Sequence, residues 1–466
     1  MATEAHGGFV SAPLTLADAA LLTDLYELTM AAAFLREGIN GTATFSLFVR
    51  RLPPERGFLV AAGLEDVLEF LRDFRFSSDA LAYLRTLGRF EPGFLDYLAA
   101  LRFTGEVRAV REGTVIFADE PLLEVTGPLI EAQIVETAVI HFCHLQTVQA
   151  SKAARSVLAA GGRTLAEFGL RRTHGMDAGM KAARAAFMTG FDSTSNVLAG
   201  RTYGIPLSGT MAHSFVSAFS RELDAFEAYA RAFPDSAVLL LDTYDTVAAA
   251  GLAVEVARRL AAEGHGLAGV RLDSGDLAVL SREVRRVLDG GGFPDVPILV
   301  SGGLDEHDIA ALLAEGAPID AFGIGTRLNV SADAPSLDMV YKLVRLDGRD
   351  VLKLSPGKET WVGRKQVLRR VDADGRLAGD ALALEEEPVP ADAVGLLEPV
   401  MRGGALVRSH PTVAELRAHC AGQLRSLPDG LRRLRDAAPY PAAPSEALKA
   451  RQRAAASAAG KASGSE

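Results

Sequence analysis

Residues 237–303 read AVLLLDTYDTVAAAGLAVEVARRLAAEGHGLAGVRLDSGDLAVLSREVRRVLDGGGFPDVPILVSGG, and they carry the clearest structural pattern of the sequence. Three short apolar runs, AVLLLD, GVRLDS and PILVSGG, alternate with two segments of helical spacing at 246–263 and 276–288. Strands that are apolar along their whole length are typical of a parallel sheet covered by helices on both faces. The stretch therefore predicts β–α–β units in a parallel sheet.

The same alternation continues on both sides of this stretch. It yields six strand candidates, which are TLAEFGL (164–170), PLSGTMA (206–212), AVLLLD (237–242), GVRLDS (269–274), PILVSGG (297–303) and AFGIGT (321–326). The length of the region suits an α/β barrel, although six strands are fewer than the eight of a closed barrel. We therefore expect an α/β fold built on an irregular parallel α/β barrel.

The sequence outside this region has a different character. Helical patterns at 19–37 and within 61–103 surround strand-like runs at 43–50 and 105–129. A hairpin around Asp347-Gly348 and a helix at 412–426 follow the barrel region. The predicted organisation is an α+β N-terminal domain (1–130), a catalytic barrel (131–338), a small C-terminal part packing back on the N-terminal domain (339–436) and a disordered tail (437–466).

Composition and charge exclude several classes of protein. The net charge is −10 and the chain holds no basic run, which argues against a nucleic-acid partner. No apolar stretch reaches the roughly 18 residues of a membrane span. Cys143 and Cys420 are the only cysteines, and the first 20 residues lack the features of a secretory signal. We therefore expect a cytoplasmic protein that contacts neither nucleic acid nor membrane.

Polar and glycine-rich residues follow every predicted strand. These ends are Arg171-Arg172, Thr210 to His213, Asp242-Thr243, Arg271 to Asp276, Ser301-Gly302-Gly303 and Gly323 to Thr326. Parallel strands bring their carboxyl ends to one edge, where ligands of α/β folds bind. The two glycine turns, SGG and GIGT, allow the backbone to approach a phosphate closely. Tight turns that need positive φ are the alternative reading for either turn alone.

Three further features have both a functional and a structural reading. Asp242 and Asp273 end apolar strands and suit Mg²⁺ or ribose hydroxyls, whereas Asp276 suits a helix cap equally well. His213 is a candidate base, metal ligand or phosphate acceptor, or a hydrogen-bonded structural residue. The cluster HFCH (141–144) resembles a metal site, but on a helix Cys143 points away from the two histidines. We interpret it as part of a buried helix.

The chain resembles the nicotinate phosphoribosyltransferase family. The resemblance runs from about Leu21 to Leu424 and rests on the segments LLTDLYELTM, EFGLRRTHG, FDSTSNVLAG, GTMAHSF, VRLDSGD and GIGTRLN. It implies transfer of phosphoribosyl from phosphoribosyl pyrophosphate to nicotinate, which yields nicotinate mononucleotide. It further implies Mg²⁺, a homodimer with a shared site, and coupled ATP hydrolysis through a phosphohistidine.

The resemblance also assigns roles to individual residues. His213 matches the phosphohistidine, and Asp242 and Asp273 match acidic residues at the ribose and magnesium. The residues matched to nicotinate are Tyr26, Arg171, Ser195, Thr210 and Arg271, with Tyr26 stacking on the pyridine ring across the dimer. The residues matched to the 5′-phosphate cradle are Gly302, Gly303, Gly325 and Thr326. Because Ala212 precedes His213, the sequence does not identify the group that orients the imidazole.

Two alternatives remain at this point. A nicotinamide phosphoribosyltransferase would need an acid where Ser195 stands, because an acid accepts from an amide and repels a carboxylate. A catalytically silent phosphate-binding barrel would show an eroded site, whereas His213 and the GIGT turn are intact. The sequence therefore favours an active enzyme that uses the acid.

Overall fold

The computed structural model describes residues 19–353 and 360–463. The stretch on which the expectation about a secretory signal rests lies almost entirely outside these residues. The described chain is a mixed α/β structure with two large sheets, one antiparallel and one parallel.

The N-terminal region supplies the first part of the antiparallel sheet and the helices that cover it. Its elements are α1 (Leu25–Arg36), β1 (Thr42–Val49), β2 (Leu59–Val60), α2 (Leu64–Arg72), α3 (Ser78–Thr86), α4 (Pro92–Ala100), β3 (Glu106–Ala109), β4 (Val115–Ile116), β5 (Pro121–Pro128) and α5 (Leu129–Ile134). β1 is buried at every position after its first residue, because it lies in the middle of the sheet.

The central region forms the parallel sheet. Its elements are α6 (Glu136–Ala160), β6 (Thr164–Glu167), α7 (Met176–Thr189), β7 (Ser193–Thr194), α8 (Val197–Tyr203), α9 (His213–Ser217), α10 (Glu222–Ala232), β8 (Val238–Leu240), α11 (Thr246–Ala262), β9 (Gly269–Leu272), α12 (Leu277–Gly290), β10 (Ile298–Val300), α13 (Glu306–Ala314), β11 (Ala321–Ile324) and α14 (Thr326–Asn329). The strands run parallel in the order β7-β6-β11-β10-β9-β8. Among the described strands, β7 and β8 do not pair with each other, so the sheet is a half-barrel.

The structure corrects one of the six strand predictions. Residues 206–212 do not form a strand, and only Leu207 contributes an isolated bridge to Thr194. Pro206 lacks a backbone donor and Gly209 weakens an extended segment, so this run does not sustain a ladder. The sixth strand is instead β7, whose two residues are too few to show a periodic pattern.

The chain after the barrel returns to the antiparallel sheet. Its elements are β12 (Met339–Leu346), β13 (Arg349–Asp350), β14 (Lys365–Val371), β15 (Leu377–Leu384), β16 (Ala393–Gly395), β17 (Glu398–Arg402), β18 (Ala405–Leu406), α15 (Val413–Arg425), β19 (Ala442–Pro444) and α16 (Glu446–Ser463). β12 pairs with β1, and the large sheet has the order β13-β12-β1-β5-β3-β17-β18. Asp347 and Gly348 both have positive φ, as a two-residue hairpin turn requires.

The prediction of a disordered tail from residue 437 was wrong for the described part of that segment. Strand β19 pairs with β15, and helix α16 follows it. Leu448 is fully buried, and Arg451 forms an ion pair of 2.7 Å with Asp350. The alanine-rich composition that indicated disorder is also the best helix-forming composition, and the burial of Leu448 and the ion pair of Arg451 hold the helix against the rest of the protein.

Candidate active site

Arg271 lies in β9, near the carboxyl end of the parallel sheet, and its guanidinium joins three segments. It donates to Thr210 Oγ1 at 2.9 Å, to Ser301 Oγ at 2.8 Å and to Asp273 Oδ1 at 2.5 Å. Its guanidinium carbon also lies 5.8 Å from the centre of the Phe168 ring. The predicted segments that contain Thr210, Asp273 and Ser301 therefore meet at the carboxyl edge of the parallel sheet, and we call this edge the rim.

The two rim aspartates are connected to each other. Asp242 Oδ2 accepts from the backbone N–H of Asp273 at 3.1 Å and from the Ser274 hydroxyl at 2.5 Å. Burial opposes the ionisation of Asp273, but the hydrogen bond from Ser301 and the charge of Arg271 hold the pKa of its carboxyl below the usual range. Asp242 Oδ1 is enclosed yet has no partner among the described residues. The pair thus presents negative charge with unused capacity to bind.

Asp245 and Asp276 are the second aspartates of the segments DTYD and DSGD, and both have a structural role. Asp245 accepts from the Ala248 N–H at 2.8 Å as the N-cap of α11. Asp276 accepts from the Val279 N–H at 3.1 Å as the N-cap of α12. The capping alternative for Asp276 is therefore correct, while Asp242 and Asp273 do not cap these helices.

The two glycine turns meet other rim segments at close range. Gly302 has a φ of +100°, and a Cβ there would lie 1.9 Å from the carbonyl oxygen of Asp273. A Cβ on Gly325 would lie 3.0 Å from the carbonyl oxygen of Phe168. Gly303 has positive φ and open space beside it, and Thr326 begins α14. Positive φ and close backbone packing therefore account for Gly302, close packing accounts for Gly325, and the space beside Gly303 is open.

Ser195 and Arg171 follow two adjacent strands, β7 and β6, at one end of the parallel sheet. We call this end the open side of the rim. Ser195 comes directly after β7, and Arg171 lies in a single turn of 3-10 helix after β6. Because β6 and β7 pair in parallel, with Glu167 opposite Thr194, both residues emerge at the same edge. Both are exposed. They are free to contact a small acid at this position.

His213 begins α9 on the same edge and is exposed. Its Nδ1 shares a hydrogen bond of 3.1 Å with the hydroxyl of Thr243, which follows Asp242 in the chain. His213 also lies close enough to Asp273 to interact with its carboxylate. The structure thereby supplies the orienting partner that the sequence did not identify.

The structure does not bring Tyr26 to the rim within this chain. Tyr26 lies in α1, which packs on α5 in the N-terminal region. Burial and the carboxyl groups of Glu27 and Glu136 raise the pKa of its phenol. Its side chain nevertheless remains about half exposed, at 47%. Its ring can therefore contact a further molecule.

The HFCH segment lies in α6, as expected. His144 Nε2 accepts a hydrogen bond of 2.9 Å from the backbone N–H of Leu337, and burial lowers the pKa of this imidazole. Cys143 is buried in the core. Within the part of the chain that the structure describes, no three His, Cys, Asp or Glu residues cluster as metal ligands.

Sequence reasoning missed a group of residues beneath the rim. Glu167 is almost fully buried and accepts hydrogen bonds from Thr194, Asn329 and the backbone of Gly169. One acidic residue within an apolar strand is a weak signal by itself. A buried carboxylate requires hydrogen-bond donors, however, and that requirement alone would have justified a search for them.

Three family models match consecutive parts of the chain. They are the nicotinate phosphoribosyltransferase (NAPRTase) N-terminal domain over residues 21–143, the NAPRTase family over residues 164–371 and the NAPRTase C-terminal domain over residues 389–452.

Among residues 19–353 and 360–463, no helix combines the length and the apolar character that a membrane crossing requires.

Individual proteins are similar over most of their length. A nicotinate phosphoribosyltransferase of Mycobacterium tuberculosis is 51% identical over 431 residues, which cover 92% of this chain and 92% of that protein. The enzyme of the same name from Bacillus subtilis is 43% identical over 379 residues, covering 79% and 77%. The crystal structure of human nicotinic acid phosphoribosyltransferase has a TM-score of 0.83 at 34% identity, covering 93% of this chain and 99% of that chain.

Proposed function

The chain belongs to the nicotinate phosphoribosyltransferase family, and we propose that its rim joins nicotinate to phosphoribosyl pyrophosphate, with ATP hydrolysis coupled through His213. The products of the transfer are nicotinate mononucleotide and pyrophosphate, and the reaction belongs to NAD biosynthesis. The observation that carries this proposal is the three-way contact of Arg271, which links Thr210, Asp273 and Ser301. These three segments are the ones assigned to the base, the ribose and the phosphate.

The transfer needs positioning and charge more than proton removal. The pyridine nitrogen already has a free lone pair, so no general base is required. Cleavage of the bond between C1 of the ribose and the pyrophosphate leaves positive charge on the ribose and negative charge on the leaving group. Asp242 and Asp273 place negative charge at the ribose, and the amides of the glycine turns hold the 5′-phosphate. Holding the two reactants together supplies much of the rate enhancement.

Recognition of the acid rests on donors on the open side of the rim. The Ser195 hydroxyl and the Arg171 guanidinium can both donate to the carboxylate of nicotinate. Thr210 and Arg271 complete the polar surroundings of the base. Since no carboxylate stands at position 195, the arrangement favours nicotinate over nicotinamide.

Mg²⁺ fits the aspartate pair. Asp242 Oδ1 lacks a partner within the described chain, and proteins often hold Mg²⁺ through one or two carboxylates together with substrate phosphates. Asp242 and Asp273 would hold the ion. When bound, it supplies positive charge that stabilises the pyrophosphate leaving group.

His213 is suited to accept phosphate from ATP. If Nδ1 donates to Thr243, the free lone pair is on Nε2, which attacks the γ-phosphorus. The bond to ADP breaks as the N–P bond forms, and water later cleaves that bond to release phosphate. Phosphorylation adds roughly −1.5 to −2 charges beside Asp273, enough to bias the occupancy of the site.

A homodimer would complete the site. Four exposed apolar side chains belong to the segments that follow Arg171 and Ser195, namely Met176 (83% exposed), Val197 (70%), Leu198 (57%) and Leu207 (54%). Exposed apolar side chains of this kind suit an interface with a second copy of the chain. Tyr26, remote from the rim of its own chain, would then stack on nicotinate in the partner's site.

A cytoplasmic location agrees with the thiol chemistry. Cys143 and Cys420 are both free and buried, as is usual for proteins of reducing compartments. The negative net charge offers no field for nucleic acid, so the partners are small molecules and a second copy of the chain.

One assay tests the whole proposal. The purified protein is incubated with phosphoribosyl pyrophosphate, Mg²⁺ and either nicotinate or nicotinamide, with and without ATP. We expect a far higher kcat/KM for nicotinate, and stimulation by ATP. A preference for nicotinamide would instead support the amide-using relative, and absence of product with either base would support a silent barrel.

The role of His213 has its own test. His213→Ala should abolish ATP hydrolysis and acid-labile labelling from γ-labelled ATP, yet retain slow ATP-independent transfer. His265→Ala is the matched control, because His265 also contacts a single polar partner, Asp235, but lies before β9 at the opposite end of the sheet. Label retained in the His213→Ala protein would refute the assignment.

A further inference from the structure

We propose that Glu167 is a positioning residue that couples the pyridine end of the active site to its phosphate end. Glu167 is the last residue of β6 and is 1% exposed, so it touches neither substrate. Its two carboxylate oxygens instead hold the segments that carry Ser195 and Gly325. The inference rests on the proposed function, because it takes Ser195 to face nicotinate and the glycine turns to face phosphate.

The first arm of this coupling fixes the Ser195 turn. The Thr194 hydroxyl donates to Glu167 Oε2 at 2.5 Å and accepts from the Asn196 N–H at 3.0 Å. The Ser195 N–H itself donates to the Glu167 carbonyl oxygen at 2.9 Å. All three residues of the turn are thus bound directly or indirectly to Glu167, while the Ser195 hydroxyl makes no hydrogen bond to residues 19–353 or 360–463 and can donate to a ligand.

The second arm reaches the phosphate turn. Glu167 Oε1 accepts from Asn329 Nδ2 at 2.9 Å and from the Gly169 N–H at 2.5 Å. Asn329 ends α14, which begins directly after Gly325. Gly169 opens the turn that contains Arg171 and fits tightly against Asn329, since a Cβ there would lie 2.3 Å from the Asn329 side chain. One carboxylate therefore sets the positions of three rim segments.

The chemistry of this site requires a carboxylate. Both oxygens of Glu167 act only as acceptors, and all of its described donors are neutral groups. A glutamine would turn an NH₂ group toward one arm. If it faced Thr194, whose oxygen already accepts from Asn196, the threonine hydroxyl would lose its acceptor. If it faced Asn329, two amide donors would oppose each other.

A second buried glutamate provides a matched control. Glu131 in α5 is also buried and accepts only from neutral groups, the backbone N–H of Thr104 at 2.6 Å and the hydroxyl of the same residue. It lies in the N-terminal region and contacts no rim segment. Glu131→Gln therefore removes the charge of a buried carboxylate, as Glu167→Gln does, but leaves the contacts between Glu167 and the rim segments unchanged.

The experiment compares substrate KM values in four variants. We expect Glu167→Gln to raise KM for both nicotinate and phosphoribosyl pyrophosphate and to lower kcat/KM roughly 10- to 100-fold, because small displacements of reactants have effects of this size. Thr194→Val should raise mainly the KM for nicotinate, and Asn329→Ala mainly that for phosphoribosyl pyrophosphate. Glu131→Gln should lower thermal stability alone.

The outcomes separate this inference from the proposed function. A wild-type protein that makes no nicotinate mononucleotide would overturn both. If the wild type is active, a Glu167→Gln protein that matches Glu131→Gln would overturn the coupling alone. Equal effects of Thr194→Val and Asn329→Ala on both KM values would do the same. Should Glu167→Gln fail to fold, the opposed KM shifts of the other two variants decide the question.

Discussion

Two groups of charged residues in this molecule use their charges in opposite ways. The rim contains Arg271, Asp273 and Asp242, which are half-buried, and leaves Asp242 Oδ1 without a described partner. The second group, which we call the back cluster, consists of Arg56, Lys152, Arg155, Glu306 and Asp333. Lys152 Nζ lies 2.7 Å from Glu306 and 2.8 Å from Asp333, and Arg155 lies 2.6 Å from Glu306.

The two groups differ in how completely their carboxylates are paired with partners inside the protein. In the back cluster, burial opposes the ionisation of Asp333, yet the charge of Arg56 and the contacts with Lys152 lower its pKa to about 2. Each of its two carboxylates has cations within ion-pair distance, and these pairs join the loop before β2 to α6 and α13. In the rim, Asp242 Oδ1 has no partner among the described residues and can still bind a ligand. Matched buried charges therefore indicate structure here, and incompletely matched charges at a strand end indicate chemistry.

The largest expected effect is on the stability contributed by the back cluster. Lys152→Met should lower the free energy of unfolding by about 3–5 kcal/mol, because it removes the buried cation that the buried Glu306 shares with the partly exposed Asp333. We expect the folded fraction to keep nearly all of its kcat/KM. Denaturant unfolding and steady-state kinetics measure the two quantities. Lys449→Met, at an exposed ion pair with Glu446, is the control and should leave the free energy of unfolding nearly unchanged. A stable but inactive Lys152→Met protein would contradict the distinction.

The corresponding change in the rim should have the opposite signature. Asp242→Asn should lower kcat/KM by roughly 100-fold or more and raise the Mg²⁺ concentration needed for half-maximal rate, with little change in stability. A metal ion stabilises the charge of such transition states by several kcal/mol, and each 1.4 kcal/mol is tenfold in rate. Asp245→Asn is the matched control, because asparagine caps a helix as well as aspartate does. Equal activity of the two variants would remove Asp242 from the site.

The sequence predicted the architecture where a physical pattern repeats. Apolar runs between amphipathic helices identified five of the six parallel strands. Because parallel strands end at one edge, the convergence of Arg271, Asp273 and Ser301 followed from strand order alone. The two-residue strand β7 and the helix α16 escaped prediction, since one is too short for a period and the other is fixed by a few contacts such as that of Arg451.

The site was less predictable than the fold wherever it depends on tertiary contacts. Thr243 as the partner of His213, and Glu167 beneath Ser195, join residues that lie far apart in the chain. No local spacing encodes such pairs. The role of Asp276 was likewise undecided from the sequence, because an aspartate directly before a helix suits both a cap and a ligand contact.

A smaller effect is expected at Tyr26. In the proposed dimer this residue lies at the rim of the partner subunit and contacts neither the rim nor the back cluster of its own chain. Tyr26→Ala should raise KM for nicotinate several-fold and leave KM for phosphoribosyl pyrophosphate nearly unchanged. Lost stacking costs about 0.5–1.5 kcal/mol beyond the lost contact area. Tyr83→Ala is the control, as Tyr83 is similarly exposed at 55% on α3. Equal increases in both KM values would indicate that Tyr26 has only a structural role.

The smallest effect separates two aspartates within one segment. Asp276 caps α12, whereas Asp273 contacts Arg271 and Ser301 in the rim. Asp276→Ala should lower the free energy of unfolding by about 1 kcal/mol through the lost cap and leave kcat/KM unchanged. Asp276→Asn should restore the stability, because asparagine accepts the same hydrogen bond from Val279. Asp273→Asn, by contrast, should lower kcat/KM without a comparable loss of stability. If Asp276→Ala instead lowers kcat/KM at unchanged stability, Asp276 takes part in the reaction although its carboxylate already caps α12. The partners that a charged residue has within the protein would then not distinguish structural from functional residues at this strand end.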